Sequence, residues 1–501
     1  MKSFSTKIHL MLLSASLLCL AGCQSSTSPS ATVSTSADGP LPLEEISILT
    51  SNDSNLVKAA QWAHEKALSY SHDGSGDEVG PWFEAALPSR EAFCMRDAAH
   101  QATGAHVIGL QAQNYNMMYR FAENISEEKD WCSYWEINRY NKPAPVDYHS
   151  DKDFWYNLDA NLDVTQACFK LYQWTGDERY LNDKTFAHFY KATMENYVPH
   201  WELDIDHLMD RTDYMHGPAA NEPPTAYGGC RGLASYAESF PGIAVSVDLI
   251  GSLYAGHHAY SRMLALQGND ADAASYEQRA LAYRQLLDER WWDEGKNHYH
   301  TFWTSAGEFH RGEGVPMLLW FNTTDRPERI RASVDDILSK EWNVENLSYF
   351  PMLLYRLGYD KEAYSNLMSL SSNPRRGYPE ASYGWMEGLV GGYMGIEPDA
   401  ATSTVSTLMH GAVADTTTLR NVPLWDGYIT VEHQGQKTSC LCNGTSRTIT
   451  WEARFQGTHT KAKAGRRTVP CQPNKDILGN EYSTATIAVA PGESILVRCK
   501  D

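Results

Sequence analysis

Three glycines constrain the architecture of this chain more than any other feature. Gly176, Gly268 and Gly358 each close an apolar helical stretch and lead at once into another, at intervals of 92 and 90 residues. The paired patterns are Leu158 to Gln173 with Glu178 to about Tyr197, Ile243 to Leu266 with about Ala271 to Trp291, and Ser348 to Leu357 with a helix starting at Lys361. Glycine accepts the left-handed conformation that ends a helix, and an Asp or Asn beside it caps the next one. Two helical hairpins of about 45 residues fill each interval, a spacing that predicts a helical toroid or solenoid.

The flanking chain adds a short helix over Leu56 to Tyr70 and another running from about Asp97 towards Asn124. After Met409 the period changes to two. LWDGYITVEHQG, SRTITWEARFQG and TATIAVAPGESILVRC alternate apolar and polar residues, as strands of a small antiparallel sheet or sandwich do. The expected division is residues 1–23 as an export signal, 24–45 as a tether, 46–408 as a helical catalytic domain and 409–501 as a β-sandwich-like module.

The N-terminus carries an address. Lys2 and Lys7 flank an apolar run from Ile8 to Leu20, followed by Leu20-Ala21-Gly22-Cys23. This resembles a bacterial lipoprotein signal, with Cys23 as the lipidated first residue of the mature chain. Residues 24 to 39 are rich in Ser, Thr and Pro and read as a flexible tether. The expected location is the bacterial cell envelope, either lipid-anchored at the outer membrane or cell surface, or periplasmic. An exported chain can oxidise its thiols. Cys440, Cys442, Cys471 and Cys499 cluster near the C-terminus, where one or two disulfides are expected. The formal charge of −20 argues against a nucleic-acid partner.

The polar residues gather at helix starts. EAFCMRDAAHQATGAHVIGL, from Glu91 to Leu110, packs Arg96, Asp97, His100 and Gln101 ahead of an apolar helical pattern. The loop from Asp130 to Asn157 is dense in aromatics, with Trp131, Trp135, Glu136 and Trp155. A loop of that length inside a compact domain is usually functional. His207 to Pro241 contributes Asp213, Glu222, Arg231 and Glu238; Tyr299 to Glu313 contributes Trp303 and Glu313. Arg375 to Glu387 reads RRGYPEASYGWME and carries Glu380, Tyr383, Trp385 and Glu387. With 15 Trp and 28 Tyr, the chain has more large aromatics than a core requires. Such rings suit the C–H faces of sugars as well as core packing, and both readings stand at this level.

These motifs resemble the six-hairpin glycosidase superfamily. Met95-Arg96-Asp97 is similar to the helix start that grips the sugar in glucoamylase-like enzymes. The hairpins Leu171 to Tyr180 and Met263 to Gly268 are similar to those of the superfamily, and Tyr383 to Gly388 leading to Gly395 to Asp399 resembles the last barrel helix and exit of α-L-rhamnosidases and their relatives. The resemblance covers about residues 55–400. It implies a mainly α fold, an (α/α)6 barrel, ahead of the small C-terminal antiparallel β-module that the strand pattern predicts. It also implies glycoside hydrolysis by two carboxyl groups, with inversion. The rhamnosidase acid motif, an Asp-Glu pair before a Trp, is absent, so the sugar specificity does not carry over.

Within that reading Glu380 stands where the superfamily places its base, with an ion pair to Arg375 or Arg376 as the structural alternative. Glu387, expected in the first turn of the following helix, is a second candidate or a capping group. Glu222, Glu238 and Asp213 are candidates for the acid. Arg96, Asp97, His100, Gln101, Trp131, Trp135, Glu136, Trp155, Trp303, Tyr383 and Trp385 are expected to bind the sugar, since Arg offers a donor fork and Asp accepts bidentate hydrogen bonds. No cofactor or metal is expected. The partners are an oligosaccharide or polysaccharide and, through the lipid, a membrane. Two other functions fit the same features: a polysaccharide lyase using Tyr214, His216 and Arg231, and a non-catalytic surface glycan-binding lipoprotein.

Overall fold

The structure, a computed structural model, describes residues 40–85, 90–211, 231–237, 240 and 242–499. Cys23, the tether, Asp213, Tyr214, His216, Glu222 and Glu238 lie outside the described residues, as does the side chain of Arg231. Among the described residues, twelve α-helices have six or more residues. They are α1 (Ser54–Leu68), α2 (Met95–Val107), α3 (Gln111–Glu123), α4 (Ala160–Thr175), α5 (Lys184–Ala192) and α6 (Val247–Leu266), followed by α7 (Asp270–Arg290), α8 (Val315–Trp320), α9 (Pro327–Leu338), α10 (Val344–Arg356), α11 (Asp360–Ser372) and α12 (Pro379–Glu387).

The even-numbered helices pack in order. α2 touches α4, α4 touches α6, then come α8, α10 and α12, and α12 returns to α2. The odd-numbered helices lie outside them: α3 on α2, α7 on α6, α9 on α8, α11 on α10 and α1 on α12. Burial follows this order. Every residue of α2 except Arg96 is buried, whereas the long α7 buries five side chains, Ala273, Tyr276, Ala280, Tyr283 and Leu287. The three hinge glycines take φ of 61°, 76° and 74°, the left-handed helix ends that their spacing predicts.

Several boundaries differ from the sequence pattern. The helix expected from Asp97 towards Asn124 is two helices, because Gly109 at φ 95° turns the chain where an added Cβ would strike Ile46 and Leu43. The segment Ile243–Ser246 is a strand, and the helix starts where the Ser246 hydroxyl accepts from the Leu249 amide at 3.1 Å. Glu387 ends α12 rather than opening the next helix; Gly388–Tyr393 continues it as a π-helical turn.

The β-structure forms two larger sheets. One runs in the order Ile48–Ser51, Thr416–Leu424, Gly427–Gln434, Thr438–Asn443, Ser494–Cys499, Lys461–Ala464, Arg467–Pro470. The other runs Glu397–Asp399, Thr404–Leu408, Ile449–Gln456, Glu481–Val489, Gln472–Lys475. The expected boundary at 409 is therefore crossed on both sides: the strand before α1 and two strands before residue 409 belong to these sheets. The expectation of a purely antiparallel module is also corrected. Thr404–Leu408 pairs parallel with Ile449–Gln456, because the intervening chain crosses into the other sheet before returning. The expected disulfides are not formed among the described residues. Instead the Cys471 thiol hydrogen-bonds to Cys499, and Cys442 to Cys440 two residues away on the same strand.

Candidate active site

A cavity of ≈230 Å³ opens where the N-terminal ends of α2, α8, α10 and α12 meet. Its walls carry Arg96, Glu313, Glu345, Tyr349, Tyr378 and Glu380, with Tyr236. The location follows from the helices. Arg96 and Asp97 open α2, Glu345 lies in the first turn of α10 and Glu380 in that of α12, Glu313 precedes α8, and side-by-side packing brings those starts together.

Glu380 sits in the first turn of α12, after Pro379 at the first helical position. It is 4% exposed. Its carboxyl shares a hydrogen bond with Asp97, while Oε2 has no partner among the described residues. Burial holds this group well above the usual carboxylate range, and the nearby charges of Asp97 and Glu345 push it further up; Arg96 pulls the other way. The α12 dipole also favours the ionised form, by no more than about 2 kcal/mol. Burial and the neighbouring acids thus favour the protonated form of Glu380, in keeping with its hydrogen bond to Asp97. It does not pair with Arg375, as the structural alternative required: that guanidinium bonds to Glu345 at 3.0 Å.

Glu345, in the first turn of α10, is the carboxylate that sequence reasoning missed. It is half-buried, and its Oε2 has no partner among the described residues. Asn343 accepts from the Asn346 amide at 3.0 Å and so caps this helix. In sequence, Glu345 reads as an ordinary first-turn acid after a cap.

Beneath the cavity runs a buried polar chain. His100 Nε2 lies 3.0 Å from Asp163 Oδ2, and its Nδ1 lies 3.0 Å from the Tyr349 hydroxyl. The Ser252 and Tyr236 hydroxyls donate to Asp163 at 2.8 and 3.0 Å. The carboxylate fixes the His100 proton on Nε2, so Nδ1 accepts from Tyr349. These residues come from α2, α4, α6, α10 and the piece 231–237, and they lock the cavity floor. Asp248 adds a second brace, accepting from the Tyr236 amide at 2.7 Å. Burial raises Asp248 to about 6 and places Asp159, beside Asp163, well above its ordinary range. The signal for Asp163 and Asp248 is an acid inside an inner-helix pattern, and Asp159 immediately precedes α4.

The other expected contacts divide. Arg96 and Asp97 are in the site; the Arg96 guanidinium lies over Tyr236 at 4.8 Å and over Trp135 at 5.4 Å. Trp135 thus supports the arginine. His100 lies in the floor, and Gln101 is buried in α2 with no hydrogen-bond partner among the described residues. Tyr383 and Trp385 are both 0% exposed and donate to the carbonyls of Ala67 and Leu367. They pack α12 against α1 and α11 and present no face to the cavity. Glu136 is buried against Arg90 at 3.1 Å, and burial with Asp147 nearby raises it to about 9. Trp131, Trp155 and Trp303 are half-buried and do not line this cavity. Trp155 and Trp303 spend their indole N–H on Asn157 and the Met209 carbonyl. Glu387 lines a different cavity, two turns along α12. Among the described residues, Asp293, His298 and His300 could hold a metal, with ligand atoms within 4.8 Å of one another. Lys296 already pairs with Asp293 there at 3.3 Å.

The chain matches no protein-family profile, and no curated protein matches it. Solved structures do resemble it. An α-L-rhamnosidase from Dictyoglumus thermophilum aligns with a TM-score of 0.57 and 12% identity, covering 91% of this chain and 51% of that one. A GH78 family rhamnosidase of Bacillus sp. GL1 gives 0.52 and 12%, covering 80% and 40%. A protein from the human microbiome assigned as a kojibiose phosphorylase gives 0.51 and 8%, covering 91% and 64%. The chain thus spans about half the length of the first and less than two thirds of the other two. At these identities the likeness is one of fold, and that fold is six-hairpin glycosidase-like.

Proposed function

We propose that this chain is a glycoside hydrolase built on an (α/α)6 barrel, with a β-module closing the far end and the cavity between the inner-helix N-termini as its active site. The observation that carries this reading is the pairing, in one small cavity, of a buried carboxyl whose proton affinity burial raises, Glu380, with a second, half-buried carboxyl group, Glu345. Glycoside hydrolysis requires such an acid and base. Glu380 protonates the leaving oxygen. Glu345, held by Arg375, activates the water. This exchanges the base role expected for Glu380, because burial and two neighbouring acids keep its proton on. Arg96 and Asp97 hold sugar hydroxyls, and the His100–Asp163–Tyr349 chain keeps the floor rigid. The chain acts on an oligosaccharide or polysaccharide, with inversion, in the bacterial envelope, anchored through Cys23.

The described cavity lining carries three glutamates and one arginine. That balance disfavours a lyase, which must neutralise a uronate, and equally disfavours phosphate as the attacking group.

The test compares leaving groups. Glu380→Gln is expected to lose about 10²–10⁴-fold on a natural oligosaccharide and far less on a dinitrophenyl glycoside, whose departure needs no proton. Glu345→Gln is expected to lose activity on both substrates. Equal losses on both substrates for Glu380→Gln would remove it from the donor role. Wild-type chain that binds glycans and cleaves none would favour the binding-protein reading.

A further inference from the structure

The molecule holds a larger cavity than the one proposed for catalysis. It measures ≈670 Å³ and lies at the C-terminal ends of α2, α4, α10 and α12, where the helices meet the five-stranded sheet. Pockets between structural units are favoured places for small-molecule binding.

Its deep wall carries three ionisable groups that the catalytic reading does not use. Lys170, from α4, makes no hydrogen bond among the described residues; its ammonium lies 4.5 Å over the Trp320 ring. Arg356, from α10, bonds the Trp320 carbonyl at 3.2 Å through one terminal nitrogen, while its buried Nε has no partner among the described residues. Glu387, from α12, is 5% exposed and accepts from the Thr103 hydroxyl. Burial pushes Lys170 down against the charge of Glu387, with Arg356 adding to the fall; it pushes Arg356 down to about 10 against Glu397 and Glu387, and Glu387 up against Lys170 and Arg356.

The outer wall is different. Arg454 is shared between Glu397 at 3.1 Å and Glu452 at 2.9 Å, and Asp399 is capped by the Ala401 amide and the Thr402 hydroxyl. The open groups are thus two donors and one acceptor held deep, facing amide and hydroxyl side chains such as Gln173 and Thr404. A strongly anionic ligand would meet the net negative outer wall, and an apolar one would strand the buried charges. A neutral polyol suits both, because its hydroxyls accept from Lys170 and Arg356 and donate to Glu387.

We propose that this cavity is a second, non-catalytic binding site for a neutral saccharide, with Lys170, Arg356 and Glu387 as its deep contacts. The site is separate from Glu380, and its test needs no turnover.

Calorimetric titration of the full chain with glucose, galactose, mannose and cellobiose, and with glucuronate as the charged control, tests it. At least one neutral sugar is expected to bind at least tenfold more weakly to Lys170→Met and to Glu387→Gln, with Glu345→Gln unchanged for that site. Thermal midpoints of the variants check that they are folded, and Lys170→Gln serves if the Met variant is not. Binding by none of the neutral sugars overturns the proposal. So does binding that responds to Glu345→Gln but not to Lys170 replacement, and so does tighter binding of glucuronate than of every neutral sugar. Since no step is hydrolytic, an inactive but sugar-binding chain would leave this site standing while the hydrolase reading fell.

Discussion

At Glu380 a single neighbour has a readable effect. Burial is the largest cause of its raised proton affinity, and the Asp97 charge adds to it. Asp97→Asn removes that addition, so Glu380 should ionise at lower pH. A donor works only while protonated. The alkaline limb of kcat/KM is therefore expected to move to lower pH in Asp97→Asn, beyond any general loss from the missing sugar contact. An unmoved limb would mean that another group sets it. Arg96 and Asp97 were legible in sequence because ionisable residues crowd a helix start. Glu345 was not, since a lone first-turn acid has the same pattern whether it caps a helix or faces a cavity. Tyr383 and Trp385 failed as sugar contacts for a related reason: an aromatic in a loop-like string gives no sign of which way its ring points.

Between elements, glycines set how closely the inner helices approach. A Cβ at Gly104 in α2 would strike the backbone of Tyr383 in α12, and one at Gly384 in α12 would come within 2.5 Å of the Ser348 carbonyl in α10. These are the helices that carry Asp97, Glu380 and Glu345. Gly104→Ala must push α2 from α12, and a destabilisation of roughly 1–3 kcal/mol is expected, as for overpacked cores. Chemical denaturation measures that, and activity should fall further than stability as Asp97 leaves Glu380. A variant of unchanged stability and activity would show that the helices have slack. The hairpin plan itself was legible, because glycine spacing and helical period are local signals. The breaks at Gly109 and Ser246 were not, since tertiary contacts and a strand pairing decided them.

Across the whole molecule, the sheets are fastened to the helices by buried polar bonds. His433 in the seven-stranded sheet bonds the Met394 carbonyl at 3.1 Å and the Ser439 hydroxyl at 2.7 Å, and Trp425 donates to the Gln173 carbonyl at 3.2 Å. Burial lowers His433 to about 4. Its neutral form is favoured in the fold, so its contribution is complete above about 6.5, the unfolded value, and is lost as pH falls towards 4. The stability gap between wild type and His433→Gln should shrink over that window, by on the order of 3 kcal/mol. A gap independent of pH would place the ionisation elsewhere.

The pairing of Ile48–Ser51 with Thr417–Arg420 joins the first described strand to one that follows only after the helices. On a ribosome that strand emerges first and waits for its neighbour until the helices have been made. Such distant pairing slows folding. An interrupted chain would expose an unpaired strand edge, the kind of template on which chains associate wrongly. A strand made late thus decides whether one made early is safe.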